Sequence, residues 1–174
     1  MITIISSTNR NDSVSYRLSQ LYQGILNSMD VESQIIDLND LPADFIDTAL
    51  YENSGKNREF NKLRVLMKES EKYVFIVPEY NGSFPGVLKA FIDGLEYPGT
   101  FKNKKCALVG LSSGDQGGGL ALSHLTDIFN YCGMHVLAIK PRLGRIKVHM
   151  TGPEITNALY MTLLKEQAEA LINF

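Results

Sequence analysis

Apolar runs and helical patterns alternate along most of the chain. Five short runs have the length and composition of strands buried on both faces of a sheet. They are Ile2–Ile5, Ser33–Leu38, Tyr73–Val77, Cys106–Leu111 and Val136–Ile139. After each run, apolar residues recur at the three- and four-residue spacing that predicts an amphipathic helix. The apolar stripes of these helices lie in Val14–Leu26, Phe60–Met67, Leu88–Leu95, Leu122–Cys132 and most of Glu154–Ile172.

This strict alternation predicts the fold class. Consecutive strand–helix units are typical of an α/β protein with a five-stranded parallel sheet, both faces of which are covered by helices. Right-handed crossovers and the size of the chain favour a three-layer sandwich with strand order 2-1-3-4-5. No linker or internal repeat interrupts residues 1–174, so we expect a single domain. Leu41–Arg58 is expected to be a polar loop or a short irregular insertion.

Composition and charge narrow the range of functions. Of the 174 residues, 44% are hydrophobic, and the net charge of −2 gives no broad electrostatic reason to bind nucleic acid or anionic lipid. No run approaches the roughly 20 apolar residues that span a bilayer. The N-terminus turns polar too early for a signal-peptide core. We therefore expect a cytoplasmic protein without membrane association, in which Cys106 and Cys132 are reduced core thiols.

The candidate chemistry lies in three loops. In a sheet with this strand order, ligands bind beyond the carboxyl ends of the strands, near the point where the order reverses. The loops after the first, third and fourth strands meet at that edge, and all three have unusual composition. By contrast, His124, His135 and His149 are isolated. No Cys/His spacing suits a zinc ion, and no catalytic Ser/His/Asp or Cys/His arrangement is visible.

The first loop, "SSTNRNDSVS" at residues 6–15, directly precedes a helix. Its hydroxyl groups, the guanidinium of Arg10 and the free N–H groups of the helix start make a plausible phosphate cradle. The alternative is that Asp12 or Ser13 only caps the helix, as such residues commonly do. The loop is neither a Walker loop nor a dinucleotide fingerprint, because the GxxxxGK and GxGxxG motifs are both missing.

The other two loops suit a flat ring. In "PEYNGSFPG", residues 78–86, Asn81 and Gly82 tolerate positive φ, so backbone N–H groups can face a ligand. The alternative is a simple strand-to-helix connection with a solvated carboxylate and phenol. The glycines of "SSGDQGGG", residues 112–119, let the backbone approach a ring closely, and the alternative there is a flexible surface loop. Because the topology brings the three loops to one edge, together they indicate a ligand site more strongly than any one of them does.

These motifs resemble those of the NADPH-dependent FMN reductases, a flavodoxin-like family with azoreductase-, quinone reductase- and chromate reductase-like members. "PEYNGSFPGVLKAFID" is similar to the family's P-E-Y-N-x-S-x-P-G-x-L-K-N-A-I-D signature. "STNRNDSVS" is similar to its G-S-x-R-x-x-S-x-N phosphate loop, and "SSGDQGG" to its later glycine-rich loop. The order and spacing of the elements match over residues 1–140. The resemblance implies the flavodoxin-like form of the three-layer sandwich.

The resemblance also implies a set of cofactor-binding residues. The flavin phosphate would be held by Thr8, Arg10, Ser13 and Ser15. The isoalloxazine ring would be lined, largely through backbone groups, by Pro78, Glu79, Tyr80, Asn81 and Gly82. The other side of the ring would be closed by Ser112, Gly114, Gly117 and Gly118. No catalytic side chain is expected, because the cofactor carries the redox chemistry and the protein supplies orientation and electrostatics.

The function implied is NAD(P)H-dependent reduction through bound FMN, with NADPH or NADH as co-substrate. The small-molecule acceptor would be a quinone, an azo compound, a metal oxyanion or free flavin. The alternatives are a flavodoxin-type FMN electron carrier without nicotinamide turnover, and a flavin- or nucleotide-binding module. A net charge of only −2 speaks against the carrier, because flavodoxins tend to be strongly acidic. The basic segment Lys140–His149 is either a solvated loop or a contact of Arg142 or Arg145 with the 2′-phosphate of NADPH.

The resemblance further implies a dimer whose flavin site borrows surface from the neighbouring subunit, so we expect a homodimer or homotetramer. The apolar residues of the helix after the signature fit such a contact; they are Val87, Phe91, Leu95 and Tyr97. The chain departs from the family pattern at three places. Ser7-Thr8 replaces Gly-Ser and Ser15 replaces asparagine, which we expect to weaken FMN binding. Gly94 replaces a tryptophan, which we expect to alter a subunit contact or the acceptor pocket.

Overall fold

The computed structural model describes residues 1–174 and has the predicted α/β architecture. Parallel strands lie in the order β2-β1-β3-β4-β5, which is the flavodoxin-like arrangement. The strands are β1 Ile2–Ser6, β2 Ser33–Asp37, β3 Lys72–Pro78, β4 Lys105–Leu111 and β5 His135–Val136. The helices are α1 Val14–Asn27, α2 Phe45–Ala49, α3 Arg58–Glu69, α4 Gly86–Gly94, α5 Gly119–Tyr131 and α6 Ala158–Asn173. The predicted fold class and strand order are therefore confirmed.

The central strand β3 shows why the apolar runs are continuous. Tyr73, Phe75 and Val77 face one layer of helices, whereas Val74 and Ile76 face the other, and all five are fully buried. The first layer contains α3, α4 and α5, and the second contains α1 and α6. Because both faces of a parallel sheet are buried, such a strand has no alternation of apolar and polar residues.

The fifth strand differs from the prediction. Instead of one strand over Val136–Ile139, the chain pairs with β4 at β5, leaves it, and pairs again at β6, Arg142–Leu143. Pro141 stands between the two pairings, and a proline has no N–H group to donate to a ladder. The edge of the sheet is therefore interrupted just where the chain passes the glycine-rich loop.

One buried side chain satisfies the backbone at this interruption. Nε2 of Gln167, on α6, donates to the carbonyl oxygens of Leu108 at 2.9 Å and Ile139 at 2.8 Å. Its Oε1 accepts a hydrogen bond of 3.2 Å from the phenol of Tyr22, a group whose pKa is raised by burial. Gln167 is fully buried. Its amide thus provides partners that buried polar groups require.

Of the two alternatives for Leu41–Arg58, the structure has the short irregular insertion, because the segment contains α2 and a 3₁₀ turn at Tyr51–Asn53. This segment and α3 pack against α4. A Cβ atom at Gly94 would lie 2.5 Å from the ring of Phe60, on α3. Gly94 is buried. The absence of a tryptophan there therefore concerns packing inside the chain, and an altered subunit contact or acceptor pocket stays a prediction.

The apolar residues of α4 are also largely used inside the chain. Phe91 is 0% exposed and Leu95 is 7% exposed, so neither forms the free apolar face that we expected. Tyr97, which follows the helix, is 65% exposed. Its ring stacks on that of Tyr131 from α5, with centroids 6.2 Å apart. The exposed apolar surface in this region is therefore aromatic and lies at the C-terminal ends of α4 and α5.

The C-terminal helix begins later than the pattern over Glu154–Ile172 suggested. A short antiparallel pair precedes it, formed by β7 Met150–Thr151 and β8 Glu154–Ile155. The side chain of Asn157 then caps α6, because its Oδ1 accepts hydrogen bonds from the N–H groups of Leu159 and Tyr160. No helix in the structure has both the length and the apolar character needed to span a bilayer. Cys106 and Cys132 form no disulfide, as expected.

Candidate functional site

A cleft of about 290 Å³ opens at the carboxyl edge of the sheet, where the loops after β1, β3 and β4 meet. The predicted site residues that line it are Thr8, Arg10, Ser13, Ser15, Pro78, Glu79, Tyr80 and Ser112. The predicted phosphate loop and both predicted ring loops therefore contribute to one cleft, as the topology required.

The phosphate loop leads into the start of α1. The hydroxyl of Ser13 accepts a hydrogen bond of 3.0 Å from the N–H of Tyr16, so this residue is the N-cap that the alternative interpretation proposed. Ser15 is 1% exposed, yet it lines the cleft. Arg10 is exposed at the rim. Since the helix start carries a partial positive charge and unsatisfied N–H groups, this end of the cleft suits an anion.

A hydrogen bond joins the phosphate loop to the loop after β3. Oγ1 of Thr8 and the phenol oxygen of Tyr80 are 2.7 Å apart. Tyr80 and Ser83 exchange two backbone hydrogen bonds of 2.8 and 3.0 Å, which close a two-residue turn. In this turn Asn81 has φ of 51° and Gly82 has φ of 74°, as a type I′ turn requires. The expected positive φ values are confirmed, but these two residues form the tip of the turn and do not line the cleft.

The turn limits which backbone groups a ligand can reach. The N–H of Glu79 donates to the carbonyl oxygen of Leu111 at 2.9 Å, and that of Tyr80 donates across the turn. Pro78 has no N–H group. Among residues 78–82, the N–H groups that stay free for a ring are therefore those of Asn81 and Gly82.

The glycine-rich loop packs against its own chain. A Cβ atom at Gly117 would lie 2.6 Å from the backbone of β6, and one at Gly118 would lie 3.2 Å from Cα of Gly110. Ser112 closes the loop, since its hydroxyl donates to the carbonyl of Gly114 at 2.7 Å and accepts from the N–H of Gly117 at 2.9 Å. The glycines of this loop do not line the cleft. Gly117 and Gly118 instead permit the loop to lie close to β4 and β6.

Two cations of the cleft were missed as site residues. Arg17 lies on α1, and Lys147 lies in a 3₁₀ turn within the basic segment after β6. Arg17 follows Ser13 by one helical turn, and that spacing was a usable signal. The position of Lys147 depends on how a distant segment folds back, so no local pattern could reveal it. With Arg10, these cations face the carboxylates of Asp12 and Glu79, which leaves a net charge of one positive unit.

Arg142 and Arg145, the two arginines of the basic segment Lys140–His149, do not line this cleft. Arg145 pairs with Asp115 of the glycine-rich loop, with Nη2 and Oδ2 3.1 Å apart. The guanidinium holds the pKa of the Asp115 carboxyl below its usual range. Arg142 is exposed and lines a separate open cleft at the start of α5, together with Lys140. A contact of either arginine with the 2′-phosphate of NADPH stays a prediction, and the Arg145–Asp115 pair makes Arg142 the better candidate.

One polar atom beside the cleft lacks a partner. Oε2 of Glu79 is buried and makes no hydrogen bond. A buried carboxylate oxygen without a donor is costly, and Glu79 lines the cleft, so a ligand that brings a donor to this carboxylate would be stabilised. FMN has a phosphate for the cationic end of the cleft, and it has hydroxyl and N–H donors elsewhere. The residues present therefore fit this cofactor.

Comparison with known proteins identifies the family. The family model of the NADPH-dependent FMN reductases matches residues 1–140, and the chain belongs to this family. The FMN-dependent NADH:quinone oxidoreductase of Bacillus pumilus is 42% identical over 66 residues, which are 37% of this chain and 31% of that protein. The FMN-dependent NADPH-azoreductase of Staphylococcus saprophyticus is 31% identical over 113 residues, which are 64% of this chain and 60% of that protein.

The solved structures agree in fold. The flavoenzyme FerB of Paracoccus denitrificans, an NAD(P)H:(acceptor) oxidoreductase, superimposes with a TM-score of 0.79 at 21% identity. The superposition covers 99% of this chain and 94% of that one. At this identity the likeness concerns the fold alone. The matches to the two curated relatives span less than two thirds of their length.

Proposed function

We propose that this chain is an FMN-dependent NAD(P)H oxidoreductase that reduces a small acceptor. The observation that carries the proposal is the single cleft in which a cationic helix start and the loop after β3 meet. FMN held there would supply the chemistry that passes a hydride from the nicotinamide to the acceptor, and the chain would supply binding and orientation. Quinones and azo compounds are the acceptors that the names of the relatives suggest, and metal oxyanions or free flavin are further candidates.

The chain supplies binding and orientation. The phosphate would be held by the start of α1 and by the side chains of hydroxyl and cationic donors, namely Thr8, Ser13, Ser15, Arg10, Arg17 and Lys147. The N–H groups of Asn81 and Gly82, at the tip of the turn next to Tyr80, would hold the ring, and Ser112 of the glycine-rich loop would close its other side. None of these steps needs a side-chain acid or base. We propose that residues 1–174 act as one FMN-binding domain.

Anaerobic reduction tests the proposal. Protein reconstituted with FMN is mixed with NADPH or NADH, and the visible absorbance of oxidised flavin is followed. We expect rapid bleaching, with recovery of the absorbance when a quinone is added. FMN that binds but is not bleached by either nucleotide would instead favour an electron carrier of the flavodoxin type. Failure to bind FMN would overturn the proposal itself.

We further propose a homodimer or homotetramer, which the family resemblance supports. Tyr97 is 65% exposed and Tyr131 is 79% exposed, and their stacked rings border a groove lined mainly by apolar residues. Exposed aromatic pairs of this kind are typical of protein interfaces. Sedimentation should show an oligomer at micromolar concentration, and a wild-type monomer would contradict this. A cytoplasmic location is also proposed, since unpaired cysteines are typical of a reducing compartment.

A further inference from the structure

The carboxylate of Glu79 lies in a cleft whose net positive charge suits an anion. Glu79 follows β3 directly and lines the same cleft as Arg10, Arg17 and Lys147. One of its carboxylate oxygens is buried and has no hydrogen-bond partner. A negative charge in this position opposes the binding of a phosphate. Glu79 must therefore be matched to a different part of the ligand, one that can donate a hydrogen bond.

We propose that the Glu79 carboxylate recognises the sugar-alcohol chain of the flavin by accepting a hydrogen bond from one of its hydroxyl groups. This inference rests on the proposed function, because it takes FMN as the ligand. It makes Glu79 a specificity-determining residue for the polyol, whereas the family resemblance placed it at the ring through its backbone.

The position of Glu79 between two structural features supports this assignment. The next residue, Tyr80, is 2.7 Å from Thr8 of the phosphate loop through its phenol oxygen. The turn at Asn81 and Gly82 follows immediately. Glu79 thus lies where the part of the site that suits a phosphate meets the part that suits a ring. In FMN, the polyol chain is the part that connects these two groups.

The chemistry of FMN leaves few other partners for the carboxylate. The phosphate repels it, and the ring carbonyl oxygens only accept hydrogen bonds. The backbone N–H of Glu79 already donates to Leu111, so this residue offers a ligand only acceptors, its carbonyl oxygen and its carboxylate, and the carboxylate is the one that a substitution can remove. The remaining donors in oxidised FMN are the hydroxyl groups and the ring N3–H. The experiment must therefore separate the polyol from the ring.

The sign of the effect separates recognition from simple charge. If Glu79 only repelled the phosphate, removing its charge would tighten the binding of FMN. If Glu79 accepts a hydrogen bond, its removal should weaken FMN binding about 10- to 150-fold, the range for hydrogen bonds to charged groups. Asp12→Asn is the matched control, because Asp12 lines the same cleft at the phosphate loop. Asparagine tolerates its positive φ of 48°, and this variant should bind FMN at least as tightly as wild type.

The decisive measurement is titration calorimetry on apoprotein with FMN and with an analogue that has a plain pentyl chain in place of the polyol. The analogue keeps the ring and the phosphate. We expect Glu79→Leu to weaken FMN by the stated factor and to change the affinity for the analogue by less than about threefold, because the lost partner is absent from it. Equal weakening of both ligands would assign Glu79 to the ring N3–H and overturn the proposal. Unchanged FMN affinity would overturn it as well.

Glu79→Gln guards against a folding artefact, because it keeps an acceptor oxygen and nearly the same volume. It should weaken FMN less than Glu79→Leu does, and tighter binding than wild type would show that the carboxylate only repels the phosphate. Urea unfolding should give a midpoint for the apoprotein of both variants that is no lower than that of wild type, because each variant removes the unpartnered charge. If the wild-type apoprotein itself does not bind FMN, the proposed function fails. If the wild-type apoprotein binds FMN and the Glu79 variants bind it equally well, only this inference fails.

Discussion

Lys147 offers the sharpest test of the phosphate end of the cleft, because the sequence motif of the family does not include it. The residue lies in the 3₁₀ turn at Ile146–Val148, far along the chain from Arg10, yet both side chains line one cleft. If the cleft holds the FMN phosphate, Lys147→Ala and Arg10→Ala should each weaken FMN. Neither should affect riboflavin, which has the same ring and polyol but no phosphate.

The structure sets the expected magnitude. A cation about 4 Å from an anion contributes about 1 kcal/mol at the dielectric constant of water and about 4 kcal/mol in the effective medium near a protein surface. Arg10 and Lys147 are both exposed at the rim, so solvent screening places each near the lower end. We expect a loss of about 1–2 kcal/mol for each variant, which corresponds to about 5- to 30-fold weaker FMN binding. If these cations were fully desolvated, each substitution would cause a larger loss of FMN binding.

Titration of the apoproteins with both flavins is the assay, and Arg142→Ala is the matched control. Arg142 lies in the same basic segment as Lys147 but lines a different cleft. Its replacement should change FMN affinity by less than about twofold. The effect of Lys147→Ala should shrink at 1 M salt, because salt screens exposed charges. Equal losses of affinity for FMN and riboflavin would show that these residues stabilise the fold. An equal loss of FMN affinity in Arg142→Ala would show that long-range electrostatic attraction explains the result. Either outcome would refute the phosphate assignment.

Three further predictions concern the scaffold. Gln167→Leu removes three hydrogen bonds inside the core and should lower the free energy of unfolding by about 3 kcal/mol, at about 1 kcal/mol each; urea unfolding that shows under about 1 kcal/mol would contradict this. Gly110→Ala would place a Cβ atom 2.3 Å from the carbonyl oxygen of Gly117, so we expect a loss of about 1–3 kcal/mol and faster amide exchange in the glycine-rich loop. Burial raises the pKa of Asp37, so its ionised form destabilises the fold at neutral pH. Asp37→Asn should therefore raise the melting temperature at pH 7, and this gain should vanish below the ordinary aspartate pKa of 3.8, whereas a gain independent of pH would contradict the argument.

The sequence alone determined the layers of the fold, because each layer follows from local periodicity. The run Tyr73–Val77 is apolar at every position, and a strand of that kind must be buried on both faces. Strict alternation with helices then requires parallel pairing through right-handed crossovers. The edge at which the loops meet follows from the same rule, because the carboxyl ends of parallel strands bring the loops that carry Thr8, Glu79 and Ser112 to one edge of the sheet.

The tertiary structure decided what local patterns do not encode, namely which distant groups come into contact. Pro141 interrupts the fifth strand, and Gln167 supplies the missing partners from the last helix. Gly117 was predicted to close one side of the flavin ring, but the space beside it is filled by the backbone of β6. Lys147 lies in the cleft because the backbone of its segment is hydrogen-bonded to the glycine-rich loop, from Arg145 N–H to the carbonyl of Gly114 at 2.8 Å and from Ile146 N–H to that of Ser112 at 3.1 Å. Periodicity reports the environment of a residue along its own helix or strand, whereas these contacts depend on how separate segments fold back on one another, and only the packed chain fixes them.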